Sequence, residues 1–250
     1  MKLFSRLFKR ETAAPMLALT FASTASVVLV VARIVSTGNI RYGSLIWNLF
    51  LAWLPLVFAL FACDHFQKDA KPGLRFAGLA GAWLLFFPNA PYIFTDLIHL
   101  TTRFYGQFWV DLVLILTCAL TGLVIGFLSL YLMQTIVTRM FGRTAGWIFT
   151  AAATGLGSFG IYLGRFLRFN SWDVLTQPGK LYHGVGTWTS NFAHYPASIA
   201  FPLLFAAFLF IAYLMLYALT HLSPAPQLIS PPAAKGIGKG PETLMPCFRQ

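Results

Sequence analysis

The chain of 250 residues carries 18 Lys and Arg against 7 Asp and Glu, a formal net charge of +11, yet only 10% of its residues are charged. A soluble domain carries roughly 25% charged residues. Apolar residues make up 58% of the chain, enough for several spanning helices of roughly 20 residues each. This composition excludes an ordinary soluble globular protein and a disordered one. Because the apolar runs are continuous rather than alternating, it also argues against a transmembrane β-barrel.

Six apolar runs predict an all-α fold, a polytopic membrane helix bundle. Each run must be helical, because lipid offers no partner to a bare backbone N–H or C=O. The runs are Ala14–Val35, Leu45–Cys63, Phe76–Thr95, Phe108–Met133, Ala145–Leu167 and Tyr195–Thr220. We therefore expect a basic N-terminus over residues 1–13 and a membrane domain over residues 14–222. Residues 223–250, rich in Pro, Gly and Ala, are expected to form a disordered tail.

The Lys and Arg residues that flank the runs predict the orientation. Twelve of them fall on the side that holds both termini, and six fall on the opposite side. Because Lys and Arg gather on cytoplasmic loops, this bias places both termini in the cytoplasm. It also accounts for the basic net charge without nucleic-acid binding. The first run is longer than a signal-peptide core, so we interpret it as a span.

The third run is interrupted at Pro88-Asn89-Ala90-Pro91, in the predicted outer half of the membrane. The two prolines remove two backbone donors and bias Phe87 and Ala90 away from the α region. Pro91 suits the first turn of a new helix, with Asn89 within capping reach. A broken helix at this depth persists only if protein or water satisfies the freed groups. The alternative is a proline kink followed by an interfacial amphipathic turn.

Charged and polar residues gather at the same predicted outer boundary. Ionisable groups within a membrane are costly and are usually paired or functional. The candidate ligand-binding residues are Asn89, Asp96, Arg165, Arg168 and Asp173, and the candidate catalytic residues are Asp96, His99 and Asp111. We expect one polar site lined by Asn89, Asp96, Asp111, Arg165 and Arg168. Pairing of Arg165 with Asp96 or Asp111 would make the cluster a salt-bridge lock, and a bound ligand would make it a binding site.

No pattern in the sequence predicts a metal or another cofactor. The three cysteines form no CxxC pair. A metal site built on Asp96, His99 and loop histidines is conceivable, but the spacing of His183 and His194 matches no ligand pattern. We therefore expect no metal and no cofactor.

Glycines within two of the runs have the spacing of close helix contacts. Gly155-Leu-Gly157-Ser-Phe-Gly160 has the letters of a dinucleotide-binding pattern. It lies in the middle of a span, without the strand and βαβ unit that such a site needs. We interpret these glycines, together with the pairs Gly122/Gly126 and Gly160/Gly164, as positions where helices approach closely.

Three motifs stand in order along the chain. They are Trp47-Asn48-Leu49-Phe50-Leu51-Ala52-Trp53-Leu54-Pro55, then Phe86-Phe87-Pro88-Asn89-Ala90-Pro91-Tyr92 with Thr95-Asp96-Leu97-Ile98-His99, then Gly160-Ile161-Tyr162-Leu163-Gly164-Arg165 with Arg168 and Asn170-Ser171-Trp172-Asp173. They resemble the bacterial membrane family catalogued as domain of unknown function 1361, in which Trp is more common at the position of Phe169. The resemblance implies a multi-pass bacterial membrane protein, which we expect in the inner membrane. It implies no activity, substrate or cofactor.

Three functions from different classes remain open. A binding or transport protein would place Arg165 beside a half-helix N-terminus, which favours an anionic small molecule or lipid headgroup. An enzyme acting on a lipid headgroup would use Asp96 or Asp111 as the base, His99 as the acid or base, and Arg165 and Arg168 to hold a phosphate. A structural or assembly subunit would use the polar cluster to lock its helices together. The bilayer is the expected partner, and the sequence names no protein partner.

Overall fold

The computed structural model describes residues 10–38, 40–68, 73–102, 108–190 and 197–220. Within these ranges every regular element is a helix. The elements are α1 (Arg10–Thr37), a 3₁₀ turn (Ile40–Tyr42), α2 (Gly43–Lys68), α3 (Leu74–Phe86), α4 (Asn89–Tyr92), a 3₁₀ helix (Ile93–Thr102), α5 (Phe108–Phe141), α6 (Arg143–Phe166), α7 (Asp173–Thr176), α8 (Pro178–Ser190) and α9 (Ala197–Thr220). The predicted tail over residues 223–250 lies outside the described residues, as do residues 1–9 of the predicted N-terminal segment.

Six stretches of the described chain are long and apolar enough to cross a membrane. They are Ala14–Thr37, Ile40–Lys68, Leu74–Ile98, Phe108–Phe141, Arg143–Phe166 and Ile199–Thr220. Each contains most of one predicted run, which confirms the all-α, six-span architecture. Several helices continue past the apolar runs, because a polar residue can extend the backbone hydrogen bonds of a helix beyond its apolar part. Gly142 alone separates α5 from α6, with a φ of +89° in the left-handed region that favours glycine.

Packing divides the chain into two compact units, Met1–Leu214 and Met215–Gln250. In the first unit α5 is the central helix, in contact with α1, α2, α4, the 3₁₀ helix and α6. Buried apolar side chains of α2, α5 and the 3₁₀ helix, among them Leu49, Ile93 and Ile115, form one core cluster. Of the second unit, the structure describes residues 215–220, which form the end of α9.

The third span is broken where the prolines predict it, but the chain turns differently there than expected. Phe87 keeps right-handed helical angles (φ −53°, ψ −40°), and its N–H donates to the carbonyl of Trp83 at 2.8 Å. The expectation that Phe87 leaves the α region is therefore wrong. Its ring is fully buried and lies 5.1 Å from that of Trp83, so core packing outweighs the local preference of a residue before proline.

Two glycines of α5 allow the broken segment to approach closely. A Cβ at Gly122 would lie 2.7 Å from the carbonyl oxygen of Ala90, and one at Gly126 would lie 2.8 Å from the Cβ of Ala90. Real Cβ contacts this short essentially never occur. The predicted close contact at Gly122/Gly126 is confirmed, and its partner is the helix break.

The glycines of α6 contact the other side of the break. A Cβ at Gly157 would lie 2.8 Å from the ring of Phe87, and one at Gly160 would lie 2.6 Å from the ring of Pro88. A Cβ at Gly164 would lie 3.2 Å from the ring of Tyr92. The break is thus held between two helices that lack side chains at the points of contact.

We expect Gly160→Ala to lower the free energy of unfolding by about 1–3 kcal/mol, because the new methyl group must displace the rigid ring of Pro88. Gly155→Ala on the same helix is the matched control, since a Cβ there meets nothing within 4 Å. The control should be neutral or stabilising by up to about 1 kcal/mol, as alanine favours helix. Thermal unfolding of the full chain in a neutral detergent measures both. Equal unfolding midpoints would contradict the close contact.

Candidate functional site

An ion pair joins α6 to the segment that follows the break. Nη2 of Arg165 lies 2.9 Å from Oδ1 of Asp96, and the two side chains are 17% and 8% exposed. The same nitrogen donates to the backbone carbonyl of Thr95. The guanidinium also lies over the ring of Tyr92, with its Cζ 5.3 Å from the ring centroid. Arg165 therefore contacts the 3₁₀ helix through charge and a hydrogen bond, and it contacts α4 through the aromatic ring of Tyr92.

Asn48 of α2 completes the environment of Asp96. Its Nδ2 donates to Oδ2 of Asp96 at 3.1 Å, while Arg165 occupies Oδ1. Each carboxylate oxygen thus accepts a hydrogen bond from a different helix. Arg165 keeps one buried donor, Nε, without a hydrogen-bond partner among the described residues. The arrangement links α2, the 3₁₀ helix and α6, which is what a salt-bridge lock requires.

Asn89 links the end of α3 to the loop after α6. Its Nδ2 donates to the carbonyl of Phe86 at 3.1 Å and to Oγ of Ser171 at 2.9 Å. The expectation that its side chain caps the next helix is wrong, because α4 begins without a side-chain cap. Proline removes backbone donors, so the groups left unsatisfied are carbonyls, and an amide N–H is the group that satisfies them.

The loop after α6 begins with a strained arginine. Arg168 adopts a φ of +57°, in the left-handed region where a residue other than glycine is at a disadvantage of roughly 1–2 kcal/mol. The N–H groups of Leu167 and Phe169 both donate to the carbonyl of Leu163, at 3.2 Å and 3.1 Å. Glycine would end the helix at this position without the strain.

Asp173 organises the same loop. Its Oδ2 accepts from the backbone N–H of Asn170 at 2.7 Å and from Nδ2 of Asn170 at 3.4 Å, and its Oδ1 lies 3.4 Å from Oγ1 of Thr176. Asp173 was predicted to bind a ligand, and the structure gives it local partners that hold residues 170–173 in a turn.

These elements enclose a groove with a volume of about 570 Å³, within the usual range of small-molecule sites. Its polar lining comprises Asn48, Asn89, Tyr92, Arg168, Asn170 and Ser171. Among the described residues that line the groove, Arg168 is the one charged side chain. Asp96 and Arg165 do not line it, but they contact Asn48 and Tyr92, which do.

The second buried ion pair of the described chain involves Asp111. Its Oδ1 lies 2.7 Å from Nε of Arg33 in α1, and the side chains are 2% and 8% exposed. The Cζ of Arg33 lies 5.8 Å from the centroid of the Tyr42 ring. Of the five residues expected to share one site, Asn89 and Arg168 thus line the groove, Asp96 and Arg165 adjoin it, and Asp111 pairs with α1.

The histidines considered as site residues in the sequence do not form a site in the described part of the structure. His99 lies in the 3₁₀ helix, with its side chain outside the described part of the structure. His183 is exposed on α8, and His194 lies outside the described residues. Over the described side chains, no group of three or more His, Cys, Asp or Glu could hold a metal ion.

Sequence reasoning gave no site role to Asn48, Ser171 or Arg33. Asn48 is a polar side chain inside an apolar run, which is a usable signal, and Ser171 lies in the third motif. Arg33 lies near the end of the first run, where a cation is typical of a charge that sets orientation. Its pairing with Asp111, 78 positions away, depends on how α1 and α5 pack and leaves no local signature.

Six candidate spans and a polar groove at a broken helix define a multi-pass helical membrane protein. The family described as "Protein of unknown function (DUF1361)" matches residues 47–215, more than half of the chain. The chain belongs to this family, which confirms the resemblance carried by the three motifs. All residues that line the groove lie within the matched region. No curated protein and no solved structure matches the chain.

We expect Arg165→Met to destabilise the protein by about 3–5 kcal/mol, because it leaves the buried Asp96 carboxylate without its cation. Adding Asp96→Asn should restore part of this loss, since the double variant buries no charge at this position. Thermal unfolding of the full chain in neutral detergent gives the three values.

The control for this prediction is the ion pair between Lys68 and Asp64, whose lysine is 62% exposed. Lys68→Met should change the free energy of unfolding by only about 0–1 kcal/mol. If Arg165→Met is no more harmful than Lys68→Met, the buried pair does not hold the 3₁₀ helix against α6.

Proposed function

We propose that the protein binds or transports an anionic ligand, a phosphate or carboxylate group, in the groove beside the broken helix. The observation that carries the proposal is Arg168. It is held in a strained conformation, and it is the one charged side chain among the described residues of the groove lining. A guanidinium binds carboxylate and phosphate through two parallel N–H donors.

The neighbours of Arg168 support the same ligand class. Ser171 accepts a hydrogen bond from Asn89, which leaves its own hydroxyl proton free to be donated. Asn170 uses its amide on Asp173 at a long distance of 3.4 Å and retains a second N–H. The rim thus carries three hydrogen-bond donors without negative charge, from Arg168, Asn170 and Ser171. The carboxylate of Asp173 in the same loop accepts a hydrogen bond from the backbone. This arrangement favours an anion over a cation as the ligand.

For Asp96 we propose a positioning role rather than proton transfer. Both of its oxygens accept hydrogen bonds from protein groups, and Asp111 is likewise paired with Arg33. An enzyme acting on a lipid headgroup would need one of these carboxylates to reach the substrate. The geometry therefore supports binding with a structural lock beside it.

The location that we propose is the bacterial inner membrane, with the groove on the extracytoplasmic side. The twofold excess of Lys and Arg on the flanks of the opposite side supports this orientation. Residues 14–222 form the membrane domain in this proposal, and residues 1–13 and 223–250 are cytoplasmic.

Arg168→Gly separates binding from stability. Glycine adopts a φ of +57° without strain, so the variant should be as stable as wild type or more stable, by up to about 1–2 kcal/mol. It should also lose the anion site. The unfolding midpoint of the full chain in neutral detergent is recorded with increasing inorganic phosphate, since a ligand stabilises the state that binds it.

Lys180→Gln is the matched control, because Lys180 is an exposed cation on α8 that does not line the groove. Phosphate excluded from the protein surface raises all midpoints alike. Wild type and Lys180→Gln should show a further saturable rise that Arg168→Gly lacks. An equal rise in all three proteins would contradict the proposed site.

The orientation is tested by cysteine labelling in intact cells. In a background without Cys63, Cys118 and Cys247, His183→Cys should react with a membrane-impermeant thiol reagent. Lys71→Cys, at a position assigned by charge to the cytoplasmic side, should react only after the membrane is opened. The reverse pattern would overturn the orientation.

A further inference from the structure

The groove continues as an apolar crevice between α3 and α6. The crevice is lined by Gly81, Leu84 and Leu85 from α3 and by Leu156, Phe159 and Leu163 from α6. The lining residues recur at helical spacing on both helices, from Gly81 to Pro88 and from Leu156 to Leu163. Each of these two stretches extends about 10 Å along its helix axis. The crevice therefore runs along both helices, away from the polar rim at Asn89 and Arg168.

The crevice opens on the surface of the protein at membrane depth. Gly81 is exposed and Leu156 is 54% exposed, and both lie within candidate spans. An apolar surface alone says little in a membrane, because every lipid-facing surface is apolar. This surface is distinctive because it is concave and continuous with a rim that carries a single arginine.

Gly81 lines the crevice at a point where a side chain would have room. A Cβ at this position would meet nothing within 4 Å, so the glycine is not required for helix packing. It differs in this from Gly122, Gly157 and Gly160, where a Cβ would collide with the broken segment.

We propose that the ligand is an amphiphile, a lipid whose phosphate binds Arg168 and whose hydrocarbon chain lies in the crevice between α3 and α6. This inference rests on the proposed anion site and names its substrate class. Charge complementarity supports it, because the described lining offers one cation and no carboxylate at the rim. A soluble anion would use only the rim, whereas a lipid entering sideways from the bilayer would use the rim and the crevice together.

The test measures binding to the full chain in a neutral detergent without a phosphate group, so that no lipid phosphate competes for the site. The probes are dodecyl phosphate and inorganic phosphate, and the readout is the unfolding midpoint as a function of probe concentration. Gly81→Leu fills the crevice where the fold has room. Gly78→Leu is the matched control, since Gly78 is exposed on the same helix, has nothing within 4 Å of its Cβ position and does not line the groove.

Wild type and Gly78→Leu should bind dodecyl phosphate equally. Gly81→Leu should bind it about tenfold more weakly, a difference of about 1.4 kcal/mol, and should bind inorganic phosphate unchanged. Arg168→Gly should bind neither probe. Partitioning of the probe into the detergent micelle is the same for every variant, so it cancels when Gly81→Leu is compared with Gly78→Leu. Leu156→Trp, on the exposed side of the opposite wall, should repeat the result if Gly81→Leu fails to fold.

Each contrary outcome has a distinct meaning. If Gly81→Leu and Leu156→Trp bind dodecyl phosphate as wild type does, the chain does not lie in the crevice and this inference is overturned. If wild type binds inorganic phosphate through Arg168 but gains nothing from the dodecyl chain, the inference fails while the proposed anion site stands. If neither probe depends on Arg168, the proposed function itself fails.

Discussion

The backbone carbonyls freed by Pro88 and Pro91 must find hydrogen-bond donors in a part of the chain that lipid cannot solvate. Pro91 lacks the N–H that would bond the carbonyl of Phe87, and the N–H of Ala90 donates to that carbonyl instead, at 3.2 Å. This leaves the carbonyl of Phe86, the regular helical partner of Ala90, to the side chain of Asn89. These contacts work only if neighbouring helices shield the segment from lipid. The glycines of α5 and α6 permit that shielding, because side chains at those positions would collide with the break. The irregular backbone is thus a packed and hydrogen-bonded feature of the bundle.

The same constraint positions the site. Arg165 donates to the carbonyl of Thr95 and pairs with Asp96, so one side chain satisfies both backbone and charge. Through Asn89 and Ser171 the break also contacts the loop that begins with Arg168. The groove therefore forms where the third span is broken. Asn89, which lines its rim, also donates a hydrogen bond to a backbone carbonyl at the break. For the ligand site that we propose, contacts that form before the ligand arrives would lower the cost of ordering on binding.

The sequence predicts those features that depend on local chemistry. Run length predicts the six spans, proline chemistry predicts the break, and small-residue spacing predicts the contacts at Gly122 and Gly160. The side chains that pair across the bundle are less predictable. Arg165 has two aspartates at the same predicted boundary, and the choice of Asp96 over Asp111 depends on the arrangement of α1 and α5. Phe87 follows its buried environment rather than its proline neighbour, and Asn89 reaches backwards because carbonyls, not N–H groups, are left unsatisfied.

The central claim, that the break and the loop after α6 form one site, is tested most directly by crosslinking Asn89→Cys to Ser171→Cys in native membranes. In a background without the native cysteines, a short bifunctional thiol reagent should join the pair, because Nδ2 of Asn89 lies 2.9 Å from Oγ of Ser171 in the native protein. Asn89→Cys with Asp64→Cys is the control, since Asp64 lies 16 residues beyond Asn48 on α2, a rise of about 24 Å. The account predicts a crosslink in the first pair and none in the second. If both single-cysteine proteins react with the reagent but the Asn89–Ser171 pair does not crosslink, the account of the site is contradicted.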